Sequence, residues 1–431
     1  MRSYLEMLLQ RNLSTLWASQ VLSAVGDQLH MIAVVWISVQ MAGAKAGFVV
    51  SAGAIAGLVV GLFAGQLADR WDRRTSMIVC DVMRGLTVAA VGIAAQAGAL
   101  QLWHLAAVGV VCTVFTCLFE PCMLASMPTL AKTPAILRAM NSLMMMTFRL
   151  ARLIGPALAG WLLSFLPIYT FFYVDSLSYF VSALAIWILG KNYQWRPIAA
   201  ATGGGARAVV AEIYDAATMA CRNRELFEIL GFSLACGSIW AVIYFLGFPL
   251  LVKQSHFIGV RGVGAYATLI CCYGVGNVIS NIAVGTLELD KRPAYNVALG
   301  YVVMGFGFVV AASSPNLAIA CLGCAIAAVG GPISDVATVN FFARLPDEYR
   351  GKINSLQRFV YSVGSAVGLL AAPMLFSVCL AQQGITYGAV IMAILGVIGV
   401  AFGRRRSAVS GNGHVRSEAV LASETAEAGN R

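Results

Sequence analysis

Long apolar runs and short polar gaps alternate along nearly the whole chain. A helix that crosses the hydrocarbon of a bilayer needs roughly 20 apolar residues. About twelve runs meet that length, at roughly 14–39, 46–67, 76–98, 103–128, 140–166, 169–190, 227–252, 263–286, 294–313, 316–341, 353–379 and 384–403. The gaps leave little room for a soluble domain. One gap is longer: from about Lys191 to Glu225 the chain carries Ala-Ala-Ala-Thr-Gly-Gly-Gly and then a moderately polar helical stretch, and it divides the runs six and six. From Arg404 onward the apolar periodicity stops, and the Ser, Gly, Glu and Ala there read as a disordered tail. The pattern predicts an all-α membrane protein with twelve transmembrane helices in two pseudo-symmetric six-helix bundles. The bundles would span residues 1–190 and 226–403, with a cytoplasmic central loop at 191–225 and a tail at 404–431.

The two sets of six resemble each other. Arg138-Ala139-Met140-Asn141-Ser142-Leu143 opens the fifth run, and Gly351-Lys352-Ile353-Asn354-Ser355-Leu356 opens the eleventh. Glu120-Pro121 in the fourth run matches Gly331-Pro332 in the tenth, and Gly65-x-Leu67 ending the second has a worn counterpart in Gly285-x-Leu287 ending the eighth. Three matches in the same order imply a duplicated six-helix unit, the plan of a transporter that rocks about a central site.

Composition supports the membrane reading. The chain is 59% hydrophobic and 11% charged, with a mean hydropathy of +0.80. Soluble domains carry roughly twice that charge density. The net charge of +10 reads as orientation. With both termini placed inside, only Lys45, Lys253 and Arg261 of the 29 Lys and Arg fall on the outer side. That bias places both termini in the cytoplasm, in an inner (plasma) membrane. Basic residues at the inner face would also meet anionic lipid. No basic–aromatic pattern of the kind that grips nucleic acid is present. Most of the eleven cysteines lie within apolar runs, where they read as packing residues, and Cys321-x-x-Cys324 has no second pair or His cluster to make a metal site. No cleavable signal is expected, because the first apolar run is too long and no A-x-A site follows it.

The second and third runs are joined by Gly65-Gln66-Leu67-Ala68-Asp69-Arg70-Trp71-Asp72-Arg73-Arg74. This stretch resembles the G-x-L-A-D-R-x-G-R-R signature of the major facilitator superfamily, with Asp72 where the family usually has glycine. Leu153-Ile154-Gly155-Pro156-Ala157-Leu158-Ala159-Gly160 is similar to the antiporter motif of its exporter subgroups. Asp81-x-x-Arg84, Arg138-x-x-Asn141-Ser142 and Tyr173-Val174-Asp175-Ser176-Leu177-Ser178 resemble a bacterial group that includes the enterobactin and alcaligin siderophore exporters and the macrolide efflux pumps. The resemblance implies that Gly65, Asp69, Arg70, Arg73 and Arg74 form a latch that stabilises one access state. Asp69 would sit against a helix N-terminus and the arginines would pair with acids on adjacent helix ends. A purely topological basic turn is the alternative. The resemblance also associates Gly155, Pro156 and Gly160 with antiport; by themselves they describe a kinked, closely packed helix face.

Several charged residues lie within the runs, where a charge is expensive and usually faces a cavity or a partner. Gln20, Ser23, Asp27 and His30 share one face of the first run. Asp27 lies past the membrane centre and is a candidate to take up and release protons, the alternative being a structural partner of a neighbouring helix. Glu120 in the fourth run is a second proton-coupling candidate. Arg149 and Arg152 in the fifth stand at a similar depth, so a Glu120–Arg149 or Glu120–Arg152 pair is expected, with one positive charge left to attract an anionic substrate or simply to hold the helices. Gln20, His30, Arg149, Arg152, Trp240, Tyr244, Asn277 and Arg358 are candidates for the substrate cavity. Trp240 and Tyr244 are one turn apart and could stack on a planar ligand. Asp175 and Asp335 read as inter-helix glue.

The expectation is a proton-coupled efflux transporter, a monomer in membrane lipid, that exports a small amphipathic molecule by alternating access. No cofactor or metal is implied and no nucleic-acid partner. A siderophore is the first choice of cargo, a macrolide or other drug the second and a lysophospholipid the third. A polytopic membrane transferase would need clustered acids for a metal and diphosphate, and Asp69-x-x-Asp72 is the only candidate pair. No HExxH, nucleophile elbow or P-loop occurs.

Overall fold

The computed structural model describes residues 2–131, 133–163, 165–189, 206–254, 262–285, 287, 292–345 and 347–401. Every regular element among them is a helix. A short amphipathic helix, α1 (Arg2–Leu9), precedes six long ones: α2 (Arg11–Ala42), α3 (Ala46–Arg70), α4 (Arg73–Gln96), α5 (Leu102–Leu130), α6 (Pro134–Leu162) and α7 (Thr170–Leu189). The amphipathic α8 (Ala206–Arg222) separates these from a second set. That set comprises α9 (Arg224–Val242), continued through a π-helical turn (Ile243–Gly247) into α10 (Phe248–Gln254), then α11 (Val263–Val284), α12 (Pro293–Ser313), α13 (Leu317–Phe342), α14 (Asp347–Val378) and α15 (Ala381–Ala401). By length and composition, 10 stretches can cross a membrane. The first, Arg11–Gly61, holds both α2 and much of α3, and α6, interrupted by Arg138, Arg149 and Arg152, completes twelve crossings. The expected tail at 404–431 lies outside the described residues.

Local chemistry sets the helix ends. Thr133 caps α6 by accepting from the Ile136 amide, with Pro134 at the first helical position. Asn223 caps α9 and Asn316 caps α13 in the same way. Gly43 and Gly262 take φ of 57° and 67°, a backbone that side chains disfavour, where the chain turns at the end of α2 and before α11. Apolar side chains such as Phe48, Val59, Ile93, Leu184 and Val397 stay exposed on the perimeter, as a lipid-facing surface requires. Exposed tryptophans mark both ends of the crossings: Trp71 and Trp187 at the end that carries Arg11, Trp103 and Trp161 at the other.

Buried apolar side chains form three clusters, and their distribution decides the shape. One joins the two sets of six across the far half, away from Arg11. It contains Trp36, Phe171 and Phe172 from the first set and Phe248, Tyr266 and Phe308 from the second. The near half has two separate clusters. Met7, Leu13, Met77, Met140 and Leu189 belong to the first set, while Leu226, Val297, Phe341 and Ile353 belong to the second. Among the described residues, the halves are therefore fused at the far end and share no apolar cluster at the near end. Lys253 reinforces the far closure: its Nζ donates to the carbonyls of Val39 (2.8 Å) and Gln40 (3.0 Å) at the C-terminal end of α2, where the helix dipole favours a cation.

Candidate functional site

The opening between the halves is lined by charge. Glu120 on α5, Arg149 and Arg152 on α6, Asp335 on α13 and Arg358 on α14 all keep accessible surface. No hydrogen bond or ion pair joins these five among the described residues. Their fields connect the two walls: Arg358 and Arg84 act on Glu120, and Arg149 and Arg152 act on Asp335. The expected Glu120–Arg149 or Glu120–Arg152 pair is not formed. The physical reason is helix placement. α5 packs chiefly on α3 and α4, whereas α6 packs on α2 and α11, so the two helices hardly touch and the acid does not meet the arginines. Among these five described residues, three guanidiniums outnumber two carboxylates.

An aromatic group on the second half adjoins this set. Trp240 stacks on Tyr244 with centroids 5.0 Å apart and 16° between planes, and its Nε1–H donates to the Tyr273 hydroxyl at 2.8 Å. Tyr361 approaches Trp240 at 6.4 Å. Tyr244 lies in the π-helical segment, whose widened turn shifts the register of the side chains after Trp240; such bulges occur often at functional sites. Trp240 and Tyr244 therefore stack first on each other, inside a larger aromatic group in which Phe245 and Tyr273 also pack against them. Asn277 on α11 is half-buried and accepts from Asn281 Nδ2 at 3.1 Å.

The face of α2 expected to line the cavity divides. Gln20 is buried and its Nε2 donates to Ser182 Oγ on α7 at 2.8 Å, so it joins helices and is not presented to a cargo. Asp27 is half-buried and accepts a hydrogen bond from the Tyr179 hydroxyl. His30 turns away from the opening, with Nδ1 3.3 Å from Asp175 Oδ2 and its ring edge on Phe172. Behind Asp27, Arg84 pairs with Asp81 and lies over the Tyr179 ring at 4.4 Å. Sequence reasoning treated Asp81, Arg84 and Asp175 as motif letters or glue and passed over Tyr179. The usable signal was spacing: Asp81 and Arg84 stand at i, i+3 and Asp175 and Tyr179 at i, i+4, each pair on one helical face.

At the α3–α4 turn, Arg73 Nη1 donates to the Ala125 carbonyl at 2.9 Å and Arg74 Nη2 to the Trp187 carbonyl at 2.6 Å. The partners are backbone carbonyls toward the C-terminal ends of α5 and α7, not the acids expected; the partial negative charge of those helix ends favours a cation. Asp72 is the N-cap of α4, accepting from the Thr75 amide at 2.8 Å, which explains an acid where glycine is usual. Gly65, Asp69 and Arg70 lie in the last turns of α3, and their side chains fall outside the described residues. In α6, a Cβ on Gly155 would meet the Gln28 side chain of α2, and one on Gly160 would reach Ala267 Cβ of α11 at 3.6 Å. Pro156 is buried between them. This motif thus holds α6 against both halves. No group of three or more His, Cys, Asp or Glu able to hold a metal occurs among the described residues.

The family model described as Major Facilitator Superfamily matches residues 16–369. Over 186 residues, 42% of the chain, it is 31% identical to the "Uncharacterized MFS-type transporter YfiS" of Bacillus subtilis, covering 43% of that protein. It is 22% identical to the "Multidrug efflux pump Tap" of Mycolicibacterium fortuitum, covering 89% of this chain and 94% of Tap. It is also 22% identical to "Macrolide efflux protein A" of Streptococcus pyogenes, over 84% and 88% of the two chains. Among solved structures, the nucleoside transporter NupG superposes with a TM-score of 0.71 at 13% identity, covering 91% of this chain and 99% of that one.

Proposed function

The chain belongs to the major facilitator superfamily, and on that premise we propose that it is a proton-coupled exporter of a small amphipathic molecule, working by alternating access across the inner membrane. The observation that carries this reading is Asp27: a carboxylate deep in a bundle, held by Tyr179, within reach of an opening whose two walls each carry an acid and at least one arginine. A group in that position changes the charge balance of the opening when it gains or loses a proton. A transporter whose halves are fused at only one end can convert such a change into a shift between two access states. With the termini in the cytoplasm, as the Lys and Arg distribution implies, the state described is open inward, with the far side closed by Lys253 and the shared apolar cluster.

The cargo is read from the walls. The aromatic group supports binding of an apolar ring system, and the accessible charges support a polar or ionised substituent on the same molecule. Named relatives favour a macrolide or multidrug cargo. The siderophore suggested by resemblance ranks second; the cation excess suits its anionic groups. Two experiments test the reading. An uncoupler should stop efflux from intact cells, and continued efflux would exclude proton coupling. A deletion strain should become macrolide-sensitive; unchanged sensitivity together with siderophore missing from iron-starved supernatants would transfer the assignment to the siderophore.

A further inference from the structure

The interior of the first half holds more acid than the proposed coupling uses. α2, α4 and α7 enclose three carboxylates, Asp27, Asp81 and Asp175, and one guanidinium, Arg84, whose field reaches all three. Asp81 pairs with Arg84 through Oδ1 while its Oδ2 has no hydrogen-bond partner, and Asp27 accepts from the Tyr179 hydroxyl. Asp175 has neither. It is fully buried, Oδ1 accepts a long 3.4 Å bond from Ser178, and Oδ2 has no hydrogen-bond partner. The atom facing that oxygen, at 3.3 Å, is His30 Nδ1, also buried and without a hydrogen-bond partner. The gap is narrow because Gly26 brings α2 onto α7: a Cβ there would lie 2.6 Å from Asp175 Oδ1. Unpartnered buried polar atoms are costly, and two of them this close are satisfied together by a single hydrogen once a small rotation of the imidazole aligns nitrogen and oxygen.

We propose that His30 and Asp175 form a proton-binding couple, a second site that loads a hydrogen ion beside Asp27. The hydrogen sits between Nδ1 and Oδ2. It enters and leaves through His30, whose side chain keeps 12% of its surface accessible against 0% for Asp175. Other groups around the couple are accounted for. α2 adds Asp27; α4 adds Asp81 and Arg84; α5 adds Cys112, with Glu120 farther along; α7 adds Ser178 and Tyr179. α6 meets α2 through Gly155 against Gln28, while its Arg149 and Arg152 act on Asp335 of the other half. The nearest cation is thus already engaged by Asp81, which leaves Asp175 to take its proton from solution through His30.

The proposal rests on the proton-coupled reading, so its test is an equilibrium measurement on the purified full-length protein with protons as the only ligand. Infrared difference spectra across a pH titration report protonated carboxyls, and ¹⁵N-labelled histidine reports His30 among the chain's 4 histidines. The expected result is a carboxyl band that is lost in Asp175→Asn, shifted in frequency in His30→Gln and retained, with only its titration midpoint moved, in Asp27→Asn, with the His30 signal displaced in Asp175→Asn. If Asp175→Asn does not fold, the band shift in His30→Gln decides. A band that ignores His30→Gln, or a His30 signal that ignores Asp175→Asn, overturns the couple. Loss of uncoupler sensitivity in cells would overturn the broader reading while leaving this binding result standing.

Discussion

Asp72 shows how a single residue can depart from a family pattern without disturbing it. Glycine at this place serves the turn through backbone freedom, whereas Asp72 serves it by capping α4, and its φ of −63° requires no glycine. Asp72→Ala should lower stability by about 1 kcal/mol, within the usual range for a lost N-cap, while Asp72→Asn retains most of it. Thermal unfolding of the two variants checks this. At Asp27 the expected outcomes are functional. Asp27→Asn should abolish proton-driven export while the protein still inserts, and transport at the unaltered rate would remove Asp27 from the mechanism. Tyr179→Phe deletes the donor to Asp27 but keeps the ring under Arg84, so proton-driven export should fall about tenfold, the equivalent of ~1.4 kcal/mol, with insertion unchanged. At this scale the sequence was only partly legible. Helical spacing placed Gln20, Asp27 and His30 on one face, but not which neighbour each would meet. Gln20 is buried against Ser182 and His30 is turned to Asp175 because α7, remote in sequence, packs on that face.

Helix positions followed directly from the apolar runs, since length and composition alone determine what can cross a bilayer. The π-helical turn at Ile243–Gly247 left no such trace, because one extra residue in a turn does not alter an already apolar run. Packing between helices was legible where glycines recur. α12 and α13 approach until backbones touch: a Cβ on Gly307 would lie 2.6 Å from Ala327 Cα and 2.7 Å from the Gly323 carbonyl. Such an approach permits close van der Waals contact, which is the main attraction between helices in lipid. Gly307→Ala must therefore push two rigid helices apart and should reduce the yield of folded protein sharply. Gly61→Ala, with nothing within 4 Å, should be silent. Size-exclusion profiles of detergent-solubilised protein distinguish the two outcomes.

Across the whole molecule, the duplication in the sequence announced two bundles, but not their present relation. The matching Asn141-Ser142 and Asn354-Ser355 motifs cannot say which end is closed; that depends on the continuous cluster at the far half and the divided ones at the near half. Nor could sequence show that Glu120 would be opposed by Arg358, because depth along two helices does not say which walls they form. If that opposition matters when the near half closes, Glu120→Arg should slow transport about tenfold, the size of a ~1.4 kcal/mol interaction, and adding Arg358→Glu should restore much of the loss. A double variant no better than the single one would show that the two charges act independently. The most direct test of the whole account is transport by purified protein in liposomes carrying an imposed pH gradient and a macrolide or siderophore cargo. Cargo should accumulate against its gradient while protons move the other way, and both movements should cease in Asp27→Asn. Cargo that merely equilibrates regardless of the pH gradient would contradict it.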